Sequence, residues 1–150
     1  MAEYKMGFIG TGNMGSALAR AAAKSGERML LANRTPEKAE ALAAVLGAKV
    51  GTNLQAAAAC EYIFLGVKPQ MLPALLDELR PALLERTDRF LLVSMAAGVK
   101  TGTIRQALGF DCPVVRIMPN LPVASGTGVI LLSPGSQVKE DELCELERLL

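Results

Sequence analysis

Six residues near the start of the chain, Gly10-Thr11-Gly12-Asn13-Met14-Gly15, constrain its fold more than any others. They follow an apolar run at 5–9 and lead into residues 13–25. There Met14, Ala17, Leu18, Ala21 and Ala22 recur at the spacing of one helical face, and Gly26 is placed to end it. A strand, a G-x-G-x-x-G turn and an amphipathic helix in that order are the opening of a dinucleotide-binding unit. In such a unit the first glycine permits the sharp turn and the second lets a pyrophosphate approach the backbone. The third lets helix and strand pack closely. Free amides at the helix start then offer a partially positive anion site. The hexapeptide alone is weak, since 14 glycines in 150 residues create chance spacings. Its flanks give it weight.

The rest of the chain keeps the same alternation. Further short apolar runs occupy 29–33, 49–50, 62–66, 90–94, 114–117 and 128–132. Several are continuous rather than alternating, as in strands covered on both faces. A second helix is marked by Thr35 as N-cap, Pro36 at its first position, a stripe of Ala39, Leu42, Ala43 and Leu46, and Gly47 after its end. Other helices are expected at 54–59, 70–79 and 103–108, with a break near Arg80 because Pro81 disfavours helical geometry before it. Strand-helix-strand alternation implies right-handed crossovers. The expected fold is α/β and Rossmann-like, a doubly wound, mainly parallel sheet of about six to eight strands with helices on both faces.

Composition narrows the function classes. A chain of 150 residues and 15.8 kDa suits one domain, and 51% apolar with 21% charged residues is a globular composition. The net charge of +1 argues against the broad basic footprint of a nucleic-acid binder. No apolar run reaches the roughly 18 residues of a membrane span, and no signal peptide is evident, so a cytoplasmic protein is expected. Without histidine, Ser-His-Asp and Cys-His chemistry and histidine zinc sites are excluded for these residues. Cys60, Cys112 and Cys144 lack a CxxC spacing and read as packed, reduced thiols; no metal site is expected. The cofactor domain is assigned to 1–135. Residues 136–150 are read as a helix leading toward a further domain, because the stripe of Leu143, Leu146, Leu149 and Leu150 stops without a cap and needs a cover. A truncated or excised chain that associates with itself is the expectation from that stripe.

The end of the second strand selects the cofactor. An NAD site usually carries an acid there for the ribose hydroxyls. Asn33-Arg34-Thr35 stands in its place, so nothing repels a 2′-phosphate, while Arg34, the Thr35 hydroxyl and Lys38 are able to bind one. The alternative for Arg34 and Lys38 is a pair of solvated charges. NADPH (NADP+) is expected, with NADH less preferred.

Three later segments fall where strand ends should line the cofactor crevice: Gly66-Val67-Lys68-Pro69-Gln70, Ser94-Met95-Ala96-Ala97-Gly98-Val99 and Val115-Arg116-Ile117-Met118-Pro119-Asn120-Leu121-Pro122. Together with Gly7–Gly15 and the trailing Gly126-Thr127-Gly128, they make the whole chain resemble pyrroline-5-carboxylate reductase. The resemblance covers essentially all 150 residues in order, and the segments at 67–69, 96–99 and 118–122 are more discriminating than the glycine loop.

It implies that Ile9, Gly10, Thr11, Gly12, Asn13 and Met14 wrap the pyrophosphate and that Thr35 lies by the 2′-phosphate, with Asn33 and Arg34 beside it read as cofactor-binding from the residues themselves. Asn53, Gly66, Val67, Lys68, Pro69, Met95, Ala96 and Ala97 would contact the rest of the cofactor. Met118, Pro119 and Asn120 would lie near the substrate. For Asn53 a helix N-cap before Leu54 is an equal alternative, and the two roles are compatible. Glu61 stands where relatives often carry Asp, a minor departure.

The resemblance further implies reduction of 1-pyrroline-5-carboxylate to L-proline by hydride from NADPH, the last step of proline biosynthesis. Its members are about twice this length. They dimerise, or form larger homo-oligomers, through a helical second domain, and that domain supplies the proton donor and carboxylate anchor. No catalytic residue is therefore assigned here, and the 150-residue chain alone is expected to be inactive. Two other readings stay open. One is a related NADP-dependent reductase of the β-hydroxyacid dehydrogenase type, which should lack the segment at 118–122. The other is a nonenzymatic NADP-binding regulatory module.

Overall fold

The computed structural model describes residues 2–119 and 130–150. Its elements follow the expected alternation: β1 (Tyr4–Ile9), α1 (Asn13–Ala23), β2 (Met29–Ala32), α2 (Pro36–Leu46), β3 (Lys49–Val50), α3 (Asn53–Ala59) and β4 (Cys60–Leu65). A 3-10 turn at Pro69–Met71 leads to α4 (Leu72–Leu84). Then come β5 (Leu91–Ser94), α5 (Thr101–Leu108), β6 (Val114–Pro119), β7 (Ile130–Pro134) and α6 (Glu140–Leu149).

The seven strands form one sheet in the order β3-β2-β1-β4-β5-β6-β7. All neighbours are parallel except β6 and β7. The chain reverses its winding between β1 and β4, and in open α/β sheets ligands bind at that point, outside the carboxyl ends of the strands. One register row, Ala32–Ile9–Leu65–Ser94–Arg116, crosses five strands. The loops after β1, β2, β4 and β5 therefore leave the sheet along a single edge.

Both faces are covered, which explains the continuous apolar strands. Phe8, Phe64 and Val93 point to one core with Leu18 of α1, Leu42 of α2 and Leu146 and Leu149 of α6. Phe8 and Phe64 stack with ring centroids 4.4 Å apart. Ile9, Ile63, Leu65 and Leu92 point to the other core with α3, α4 and α5. Burying each large side chain contributes roughly 1.5–3 kcal/mol.

The structure corrects four expectations. The helix expected to break near Arg80 continues through Pro81 to Leu84. Leu79 and Leu83, on either side of the proline, are buried, whereas Pro81 faces solvent. That burial offsets the roughly 3 kcal/mol that an interior proline costs. The N-cap of α3 is Thr52, not Asn53: Thr52 Oγ1 accepts from Gln55 N–H at 3.1 Å, and Gln55 Oε1 accepts from Thr52 N–H at 2.8 Å. Cys60 and Cys112 are packed, but Cys144 is exposed on α6. The leucine stripe of α6 needs no partner chain, because Leu146 and Leu149 are 0% and 1% exposed in the first core. Arg89 holds the helix through paired bonds of 2.7 and 2.8 Å to Glu142, while Lys5 pairs with Glu145. This removes the motive for self-association drawn from that stripe.

Candidate functional site

The glycine loop is built by close approach at the sheet edge. Gly10 has φ +92°, open to glycine without strain. A Cβ there would lie 2.5 Å from the Gly66 carbonyl oxygen, and one on Gly66 would lie 2.8 Å from the Gly10 oxygen. The loops after β1 and β4 thus touch backbone to backbone. A Cβ on Gly15 would overlap the Gly10 carbonyl, so the third glycine sets the packing of α1 on β1. Gly12 differs, since a Cβ there would meet nothing within 4 Å. Its bare backbone faces an open cleft of about 580 Å³ lined by Thr11, Asn13, Ser16, Arg20 and Lys38 among others.

The cleft fits an anionic group. Gly12 caps α1 without a side-chain bond, and the first turn of the helix carries no acidic residue. Thr11 is only 5% exposed, and among the described residues its Oγ1 has no hydrogen-bond partner, which is costly for a buried hydroxyl. Ser16 Oγ donates to the Thr11 carbonyl at 2.6 Å and fixes the turn.

Asn33 couples this loop to the next one. Its Oδ1 accepts from Thr11 N–H at 3.1 Å, and its Nδ2 donates to the Thr35 carbonyl at 3.0 Å. Arg34 is exposed, and Thr35 caps α2 in extended conformation without committing its hydroxyl to the helix. A second cleft of about 210 Å³ begins at Asn33 and is lined by Pro36, Val50, Thr52, Asn53 and Glu78 among others. Asn53 Nδ2 donates to Glu78 Oε1 at 3.3 Å. Both clefts border the 33–38 segment, the first at Lys38 and the second at Asn33 and Pro36.

The remaining candidates line neither cleft but share the same edge. Val67, Lys68 and Pro69 follow β4, with Lys68 and Pro69 exposed. Met95 N–H donates to the Leu65 carbonyl at 3.2 Å, Ala96 N–H to Ser94 Oγ at 3.2 Å, and Ala97 is exposed beside them. Ile9 is buried and Met14 half-buried at the base of the loop. Met118 is 55% exposed and Pro119 half-buried at the end of β6, two and three residues past the common register row. Asn120 lies outside the described residues.

Sequence reasoning missed Ser16, Arg20, Thr52 and Glu78. Asn13, Ser16 and Arg20 fall at i, i+3 and i+7 of an otherwise apolar helix, a polar stripe that was there to be read. Glu78 carried no such signal, because it reaches Asn53 from a separate helix.

A family described as NADP oxidoreductase, coenzyme F420-dependent, matches residues 5–98. Among curated proteins, pyrroline-5-carboxylate reductase 3 of Danio rerio is 35% identical over 156 aligned residues, covering 99% of this chain and 52% of its own length. Among solved structures, a pyrroline-5-carboxylate reductase from Coxiella burnetii superposes with a TM-score of 0.87 at 28% identity, over 97% of this chain and 55% of that one. The Plasmodium falciparum pyrroline carboxylate reductase, solved with NADP bound, gives 0.82 at 25% identity, over 99% and 55%. The chain spans about half the length of the relatives it matches.

Proposed function

The chain belongs to the NADP oxidoreductase, coenzyme F420-dependent family, and we propose that it is the cofactor-binding part of a pyrroline-5-carboxylate reductase. The observation that carries this reading is the cleft at the start of α1, with an orphan Thr11 hydroxyl, a bare Gly12 and no acid in the first turn. The relatives' names supply the substrate, pyrroline-5-carboxylate, and hydride addition to its C=N carbon with protonation of the nitrogen gives proline.

Each group has a task. The amides from Gly10 to Met14 and the Thr11 hydroxyl bind the pyrophosphate. Arg34, Thr35 and Lys38 bind the 2′-phosphate, favouring NADPH over NADH. Asn33 holds those two loops in register, and Asn53 lines the adenosine end. Gly66, Val67, Lys68, Pro69, Met95, Ala96 and Ala97 form the edge along which the nicotinamide half extends. Met118, Pro119 and Asn120 continue that edge toward the substrate. When bound, the reduced nicotinamide supplies the hydride. The protein's part is to hold reactants in place and exclude water. The proton donor, the carboxylate anchor and the homo-oligomer contacts are assigned to a further domain of the longer parent, and the cytoplasm is its proposed location.

Adding 1-pyrroline-5-carboxylate and NADPH to the longer parent protein, and following the nicotinamide absorbance, tests the reading. Consumption of NADPH with formation of proline is expected. Tight NADPH binding without turnover would point instead to a regulatory module.

A further inference from the structure

Arg20 lies two turns into α1, outside the motifs that mark the cofactor loop. Side chains on a helix lean toward its N-terminus, and residues 13, 16 and 20 fall on one face. Arg20 therefore joins Asn13 and Ser16 in lining the cleft beneath the glycine loop, about 10 Å of helix rise from its start. Lys38, from the first turn of α2, lines the same cleft. No carboxylate lines it, and among the described residues no ion pair engages Arg20 or Lys38. Arg80, Arg86 and Arg89, by contrast, are each tied to an acid. Thr11 also lines this cleft, and among the described residues its buried Oγ1 has no hydrogen-bond partner.

We infer that Arg20 is a specificity-determining residue of the cofactor site, adding a charge from α1 to those that Arg34 and Lys38 offer the 2′-phosphate. Selectivity for NADPH is then divided between the 33–35 turn and a residue of α1. The inference rests on the cofactor reading proposed above. An exposed guanidinium opposite a phosphate gives a modest attraction, screened by salt. An effect of about three- to tenfold is expected.

Calorimetric titration of the chain and its Arg20→Gln and Arg20→Lys variants with NADPH and NADH, at one salt concentration, tests it. Arg20→Gln should raise the Kd for NADPH about three- to tenfold and leave that for NADH within about twofold, while Arg20→Lys restores most of the loss. Thermal midpoints, expected to be equal because Arg20 is exposed, separate lost binding from lost fold. Equal losses for both cofactors would overturn the inference in favour of a pyrophosphate contact. An unchanged NADPH affinity would overturn it and leave the cofactor reading intact. A parent chain that binds neither cofactor would overturn both.

Discussion

The side-chain oxygen of Asn33 accepts a hydrogen bond from the Thr11 backbone at 3.1 Å, tying the end of β2 to the glycine loop of β1. The amide nitrogen of the same side chain donates to the Thr35 carbonyl. One neutral residue thus holds both halves of the proposed anion site, at the position where an acid would select NAD. An aspartate could accept from Thr11 but could not donate to Thr35.

Asn33→Leu should therefore leave the Thr11 amide and the Thr35 carbonyl without this partner and cost about 1–3 kcal/mol in urea unfolding. Asn33→Asp should cost less and shift cofactor preference toward NADH. An unchanged unfolding midpoint for Asn33→Leu would show that the bridge is incidental.

Two glycines of one motif should behave in opposite ways. At Gly10 the positive φ and the 2.5 Å approach to Gly66 leave no room, so Gly10→Ala should destabilise the fold by more than about 1 kcal/mol. At Gly12 a methyl meets no atom of the described residues within 4 Å. Gly12→Ala should keep the parent's thermal midpoint and lose cofactor binding, because the methyl occupies the pyrophosphate's approach.

Acid stability should depend on two arginine-held carboxylates. The Arg86 guanidinium, itself buried and 2.7 Å from Asp88, holds the Asp88 carboxyl below the usual carboxylate range. Arg89 does the same for Glu142 on α6. Both groups bind protons more readily in the unfolded chain, so their contribution is complete above the ordinary carboxylate value of about 4. It is lost as pH falls through the lower folded values. Arg89→Ala should flatten the acid limb of a stability-against-pH curve. An identical limb would assign acid lability elsewhere.

Thiol accessibility gives a simple check on packing. Burial pushes the Cys60 and Cys112 thiols up to about 12, whereas Cys144 is exposed on α6. Native protein should react with one equivalent of a thiol reagent at neutral pH, and with three after denaturation. Fast reaction of all three in the native state would contradict the two-faced core.

The strands were legible because a parallel sheet buried on both sides needs unbroken apolar runs, and 63–65 and 91–93 supply them. The first turn was legible because only glycine satisfies the constraints at Gly10 and Gly15. Pro81 misled because its effect depends on which face it occupies, a property of burial rather than of the dipeptide. At α3 the capping hydroxyl sits one residue earlier than the asparagine that drew attention, and Thr52 with Gln55 was a readable capping box. The cover over the α6 leucines was hidden, since it comes from strands and helices far away in sequence. Arg20 stayed unread for a related reason: the cleft it lines is completed by Lys38 on another helix.

Calorimetric titration with NADPH and NADH, repeated on Arg34→Asp, tests whether this chain holds NADP through the α1 cleft and the 33–35 turn. Saturable binding with NADPH preferred is expected, and Arg34→Asp should weaken NADPH by about 1–3 kcal/mol more than NADH. Binding of neither cofactor, or equal losses for both in the variant, would contradict it.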